Sequence, residues 1–236
     1  MIDLYAMGSP NVVKIYIALE ELGLAYRIKP VDVFGGAQFD PSFTALNPLA
    51  KVPVIVDEEG PAGKPYTVFE SGAILLYLAD KTGKLLPEDK AARFEAIQWL
   101  MVQLTGVGPM FGQFVHFYRF APPGNDYSLS RYRTQVRRLC EVLERRLGQV
   151  SWLGGAEYSI ADIATFPWGR AIGNFLSGAD KTYPNLQAWV DRIAAREPVK
   201  GALAAVADTS AKVTAFDKAQ PEALDRMFGR GQFALA

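Results

Sequence analysis

Two short stretches carry residue types that can do chemistry together. Ala50-Lys51-Val52-Pro53-Val54-Ile55-Val56-Asp57 places a valine–proline pair at the head of an apolar run, and Phe69-Glu70-Ser71-Gly72-Ala73-Ile74 follows one loop later. A cis X-Pro bond turns the N–H and C=O of the preceding residue, here Val52, outward at a sheet edge. An extended ligand pairs with such groups as an added antiparallel strand. Ser71 stands at or near the N-cap of an apolar helical pattern with Ile74, Leu75, Leu78 and Ala79 on one face. Free N–H groups and the positive end of the helix dipole attract a carboxylate there. Glu70 beside it suits an ammonium. Together the two stretches suit a small, extended, zwitterionic peptide. Each also has a plain structural reading: a trans Val-Pro on an edge strand, and a Glu-Ser helix cap. Their joint occurrence after an N-terminal β-α-β pattern favours binding.

The elements that must position these residues read as follows. Met1 to Tyr5 is a short buried strand, Pro10 opens a helix stopped by Gly23, and Tyr26 to Val31 is a second strand. A short helix is expected around Pro41 to Leu46. Lys51 to Asp57 and Tyr66 to Val68 form a hairpin across a Gly/Pro turn, and a helix runs from Ser71 to near Gly83. The order βαβ then αββα implies one right-handed parallel pair plus antiparallel strands, a thioredoxin-like α/β domain over residues 1–83. After the linker Leu85-Leu86-Pro87-Glu88-Asp89, strand patterns cease and an all-helical domain is expected over 90–207. Its first helical stretch, from Ala91 to about Tyr118, is expected to break near Gly106-Val107-Gly108-Pro109. Helices are also expected over Tyr127 to Leu147, Pro184 to Arg196 and Pro198 to Val206. Ser159-Ile160-Ala161-Asp162 is a capping box, with Tyr158 and Ile163 at hydrophobic-staple positions, and it is assigned to folding rather than chemistry. Residues 208–236 are weakly patterned, a frayed tail or an arm folded over a partner or site.

Composition excludes several function classes. The chain has 236 residues, half of them hydrophobic, with 25 basic and 25 acidic side chains. Such balance argues against nucleic-acid or anionic-membrane binding driven by bulk charge. No apolar run reaches transmembrane length. The N-terminus lacks a basic region and a cleavage pattern, and the one cysteine forms no intramolecular disulfide, so a reducing cytoplasmic setting is expected. One histidine, His116, and one cysteine, Cys140, do not make a zinc site, and no metal is expected. There is no CxxC, P-loop, GxGxxG or GxSxG. Cys140 lies on an apolar helix face with Val136, Leu139, Leu143 and Leu147 and reads as core. His116 reads as a structural or pocket residue. The aromatic stretch from Trp99 to Phe120 reads as core on one face and as pocket lining or subunit contact on another.

Val-Pro and Glu-Ser in an α/β domain, joined to a helical domain bearing Ser-Ile-Ala-Asp, resemble the cytosolic glutathione transferases. The resemblance spans nearly the whole chain and is nearest the bacterial nu class, the glutathione transferase-like disulfide-bond reductases. It is carried by Ile2-Asp3-Leu4-Tyr5, Ser9-Pro10-Asn11, Gly35-Gly36-Ala37-Gln38-Phe39, the run from Phe69 to Leu78, Gly108-Pro109-Met110, Arg131-Tyr132 and Trp152-Leu153-Gly154-Gly155. It implies glutathione as co-substrate, reduced or as the disulfide, and a symmetric homodimer with no nucleic acid or membrane partner. It further implies that Ser9 or Asn11 hydrogen-bonds the glutathione sulfur. Gln38 and Lys51 would meet the glycine end, Val52 beside Pro53 the backbone, and Glu70 with Ser71 the γ-glutamyl group. Arg131 would reach the neighbouring subunit's glutathione. Read as residues alone, Asn11 is equally a helix cap, Ser9 a turn residue and Arg131 solvated surface.

The chemistry needs no protein thiol. Glutathione brings its own, and hydrogen bonds to its sulfur near helix N-terminal N–H groups favour the thiolate. That thiolate attacks a disulfide sulfur or a carbon electrophile. Three readings follow: a glutathione-dependent disulfide-bond reductase first, a transferase conjugating glutathione to electrophiles second, and a non-catalytic binding module of the same fold third. Intact Val52, Pro53, Glu70 and Ser71 count against the third.

Overall fold

The computed structural model describes residues 1–171 and 182–234. Four strands, β1 (Ile2–Ala6), β2 (Tyr26–Pro30), β3 (Val54–Asp57) and β4 (Tyr66–Phe69), form one sheet in the order β2-β1-β3-β4. β1 pairs with β2 in parallel, and with β3 antiparallel; β3 and β4 are antiparallel. This is the expected thioredoxin-like arrangement. Alternation on β1 turns Ile2, Leu4 and Ala6 inward, and β3 adds Val54 and Ile55.

Helix α1 (Pro10–Leu22) crosses between the parallel strands. Pro10 supplies a first residue that needs no N–H partner, and Gly23 ends the helix in the left-handed region at φ 64°. Every residue from Val12 to Leu19 is buried, Lys14 included. Helix α2 (Pro41–Thr44) is shorter than expected and is preceded by a 3-10 turn, Ala37–Phe39. β3 starts three residues later than expected, at Val54 rather than Lys51, because the chain bends at Val52-Pro53. Helix α3 (Ser71–Thr82) is tied to β3 by the Tyr77 hydroxyl, which donates to Asp57 Oδ2 at 2.6 Å.

The chain divides into two compact units, the first of them discontinuous in sequence. One unit is Met1–Leu78 together with the chain from Glu197 onward; the other is Ala79–Arg196. The cause is helix α9 (Glu197–Ser210), which packs on α1. Tyr16 and Thr209 share a 2.7 Å hydrogen bond there. At Gly8 a Cβ would meet Ser210 Oγ at 2.2 Å, so a side chain there would have to turn that hydroxyl off its bond to the Val206 carbonyl. Beyond α9 the tail is structured through residue 234, with helix α10 (Pro221–Phe228) between two 3-10 turns. Its last two residues lie outside the described part.

The second unit is helical. α4 (Lys90–Val102) starts at Asp89, whose side chain caps Ala92 N–H at 2.9 Å. The regular α-helix is interrupted near Gly106-Val107-Gly108-Pro109, as expected, but the chain stays helical through the interruption. A π-turn, Gln103–Val107, carries the helix straight into α5 (Gly108–Val115), and a second, His116–Phe120, extends it. The wider turn absorbs the N–H that Pro109 lacks. α6 (Asp126–Leu147), α7 (Ile160–Gly169) and α8 (Pro184–Ala194) complete the unit. Its core includes Leu100, Phe111, Phe114, Leu143, Phe166 and Trp189, with Cys140 fully buried among them. Burial pushes the Cys140 thiol up to about 12, which keeps it protonated and inert.

Candidate active site

Strand direction gathers the chemical residues. Ala6 faces Pro30, Tyr5 faces Val54 and Val54 faces Phe69 across successive strands. The exits of β1, β2 and β4 and the entrance of β3 therefore share one end of the sheet. Ser9 and Asn11 follow β1, Gln38 follows β2, Lys51-Val52-Pro53 precedes β3, and Glu70-Ser71 follows β4. Ligands of open α/β sheets bind at that end.

The Val52-Pro53 bond is cis. The turn before it is built by Asn47, a residue the sequence reading missed. Asn47 is 1% exposed. Its Nδ2 donates to the Lys51 carbonyl at 2.7 Å and its Oδ1 accepts from Leu49 N–H at 3.0 Å. An Asn between a short helix and a Pro is the local signal that could have found it. Lys51 is exposed and Val52 half-buried.

Ser9 is the N-cap of α1, yet its side chain makes no capping bond. Asn11 sits one position beyond Pro10 and is exposed, so the capping role falls to neither side chain. Gln38 is 2% exposed, and its Oε1 has no hydrogen-bond partner among the described residues. A buried acceptor of this kind suits an N–H donor. The C-terminal tail clamps its loop. Thr214 donates its N–H (3.0 Å) and hydroxyl (2.6 Å) to the two Asp32 oxygens. Phe216 stacks edge-on against Phe34, and Arg226 lies 4.3 Å over the Phe39 ring.

At α3 the first intrahelical bond runs from Ile74 N–H to the Glu70 carbonyl at 2.9 Å, so Glu70 is the N-cap and Ser71 the first helical residue. Glu70 holds φ 68°, a conformation that costs a side-chain-bearing residue roughly 1–2 kcal/mol. Such strain concentrates at ligand clamps. Its carboxylate is exposed and enters no hydrogen bond or ion pair among the described residues. Ser71 is 6% exposed. The sequence reading also missed Lys14, which is 1% exposed and donates from Nζ to Ser71 Oγ at 3.2 Å. Burial draws its pKa down from 10.5 to about 7, and the charge of Glu70 opposes part of that shift. A lone lysine inside Val-Val-Lys-Ile-Tyr-Ile-Ala-Leu was the available signal.

Eight of the nine expected site residues thus lie in the first unit. Arg131 lies in the second, exposed near the start of α6. Among the described residues no group of three or more His, Cys, Asp and Glu could hold a metal ion, and no helix is long and apolar enough to cross a membrane.

Residues 8–81 match the family model of the glutathione S-transferase N-terminal domain, and residues 107–197 that of the C-terminal domain. Disulfide-bond oxidoreductase YfcG of Escherichia coli is 45% identical over 204 residues, covering 86% of this chain and 94% of that protein. A Pseudomonas fluorescens glutathione transferase family member, solved with two glutathione bound, is 44% identical at TM-score 0.82, covering 86% of this chain and 92% of its own. A Pseudomonas putida glutathione transferase, solved with one glutathione disulfide per subunit, is 42% identical at TM-score 0.81, covering 86% and 90%. With both domains matched and this likeness running over most of its length, the chain belongs to the glutathione S-transferase family.

Proposed function

We propose that the chain is a glutathione-dependent disulfide-bond reductase. The observation that carries this reading is the open polar start of α3: a strained Glu70 carboxylate, in no hydrogen bond or ion pair among the described residues, beside Ser71, at the end of the sheet where the Ser9 hydroxyl makes no capping bond. Glu70 takes the ammonium of the γ-glutamyl group, and Ser71 takes its carboxylate. Val52 pairs with the ligand backbone beside cis Pro53, and Gln38 and Lys51 meet the glycine end. This places the cysteinyl sulfur toward the start of α1, where the Ser9 hydroxyl and the Asn11 amide donate to it. Each donated bond favours the thiolate over the thiol.

The thiolate attacks one sulfur of a substrate disulfide. An S–S bond breaks, a glutathione–substrate disulfide forms, and the other half leaves as thiolate. A second glutathione thiolate attacks the glutathione sulfur of that intermediate, releasing the second substrate thiol and glutathione disulfide. Two glutathiones are oxidised and one disulfide is reduced, without a protein cysteine. Two supports come from outside the chain: YfcG is named a disulfide-bond oxidoreductase, and the two Pseudomonas relatives were solved with two glutathiones or with glutathione disulfide. On the same reading the protein is a cytoplasmic homodimer, and Arg131 reaches the glutathione of the neighbouring subunit.

Turnover of 2-hydroxyethyl disulfide with glutathione, coupled to glutathione reductase, tests the proposal. A rate far above the uncatalysed one is expected. A rate at background together with conjugation of a test electrophile would replace reduction by transfer, and failure of both would leave a binding module.

A further inference from the structure

Lys14 is the one charged side chain in the buried run of α1, and it ends on Ser71. Placing an ammonium at 1% exposure costs free energy that packing alone would not repay. An aliphatic residue of like length would fill the same space, so the charge asks for a reason. A serine hydroxyl has one proton and two lone pairs, whereas an ammonium is a donor only. When Nζ donates to Oγ, the hydroxyl proton must point elsewhere. Oγ stands at the first position of α3, where N–H groups of the first turn already favour an anion.

We propose that Lys14 is a positioning residue for the γ-glutamyl carboxylate: its buried ammonium fixes the Ser71 hydroxyl as a donor and sets a positive charge behind it. This rests on the glutathione reading above and goes beyond it, because Lys14 touches Ser71 and not the ligand. The lowered pKa of Lys14 fits the geometry: burial penalises its ammonium, and an anion brought close offsets that penalty. Glu70 is the residue whose charge acts on it within this site, and a carboxylate at Ser71 would add a second. Lys14 thereby couples the two halves of the γ-glutamyl clamp.

The test is calorimetric titration at pH 6, where Lys14 is mainly protonated, of wild type, Lys14→Met, Lys14→Arg, Ser71→Ala and the Lys14→Met/Ser71→Ala double variant. Two ligands are compared: glutathione, and the analogue in which a γ-aminobutyryl group replaces γ-glutamyl and so lacks only the α-carboxylate. Lys14→Met is expected to weaken glutathione about tenfold or more, to leave the analogue within about twofold, and to melt no lower than wild type. Lys14→Arg should recover most of the affinity. The double variant should bind glutathione little worse than Ser71→Ala alone, as groups acting in series do. Equal loss for both ligands would mean that Lys14 merely shapes the helix, and unchanged glutathione affinity in Lys14→Met with loss in Ser71→Ala would dismiss the coupling. Absence of glutathione binding by wild type would overturn both this inference and the functional reading it rests on.

Discussion

Two helices of this chain begin with an acid and a serine, and they use them in opposite ways. At α7, Ser159 and Asp162 form a closed set. Asp162 is 0% exposed and accepts from Leu153 N–H (2.8 Å), Ser159 N–H (3.0 Å), Ser159 Oγ (3.2 Å) and Trp189 Nε1 (2.9 Å). Burial pushes its carboxyl upward, while those four donors pull the other way. Every oxygen there is occupied by the protein's own groups. At α3, Glu70 faces solvent at positive φ with no such partners, and Ser71 is held from behind by Lys14. The residue types are alike; the difference is whether the fold consumes their hydrogen-bonding capacity. A satisfied polar cluster stabilises the fold; on the proposed reading, the one kept open at a structural cost takes the ligand.

Substitutions at the two starts should separate these roles. Asp162→Ala leaves four buried donors unmatched and is expected to cost about 3–5 kcal/mol of stability, read from urea unfolding. Glu70→Ala removes no internal bond. It should leave the unfolding midpoint within about 0.5 kcal/mol of wild type and weaken glutathione binding roughly tenfold to a hundredfold, the worth of a charge-assisted hydrogen bond of about 1.5–3 kcal/mol. Loss of stability in Glu70→Ala, or of affinity with full stability in Asp162→Ala, would erase the contrast.

Lys14 sharpens the comparison through pH. Its folded pKa, about 7, lies below the ordinary 10.5, so between those values the unfolded chain binds more protons than the folded one. Stability then rises with pH across that window: the penalty for the buried charge is fully present below 7 and disappears as the proton leaves the unfolded chain near 10.5. Between pH 7 and 9 the gain should be about 2 kcal/mol in wild type. Lys14→Met should remove it, so the difference between the two proteins isolates this group. The smallest effect is expected at Cys140. Cys140→Ser should keep full disulfide turnover and lose on the order of 1 kcal/mol of stability from an added buried hydroxyl. Loss of turnover in the folded variant would give the protein thiol a part in the reaction.

Much of this was legible in the residues because it is local. Period-two burial on β1, Gly23 past the end of α1, the Val52-Pro53 and Glu70-Ser71 pairs, and the Ser159–Asp162 box are each set within a few positions of chain. What escaped the reading depends on partners far away in sequence. The α9 pattern announces a face to be buried, but not that Tyr16, 193 positions earlier, would receive it. The tail looked weakly patterned because its contacts with Asp32, Phe34 and Phe39 are single side chains rather than a periodic stripe. The π-turn before Pro109 keeps the chain helical through the expected interruption, its wider turn accommodating the N–H that proline lacks. Lys14 was hidden by its own helix: a charge in an apolar run has meaning only once its partner on α3 is known.

A crystal structure of this protein with glutathione disulfide decides whether the open start of α3 is the γ-glutamyl clamp of a glutathione site. The ligand ammonium is expected within hydrogen-bond reach of the Glu70 carboxylate, its α-carboxylate on Ser71, and its backbone paired with Val52 beside cis Pro53. A ligand seated elsewhere, with Glu70 and Ser71 untouched, would contradict it.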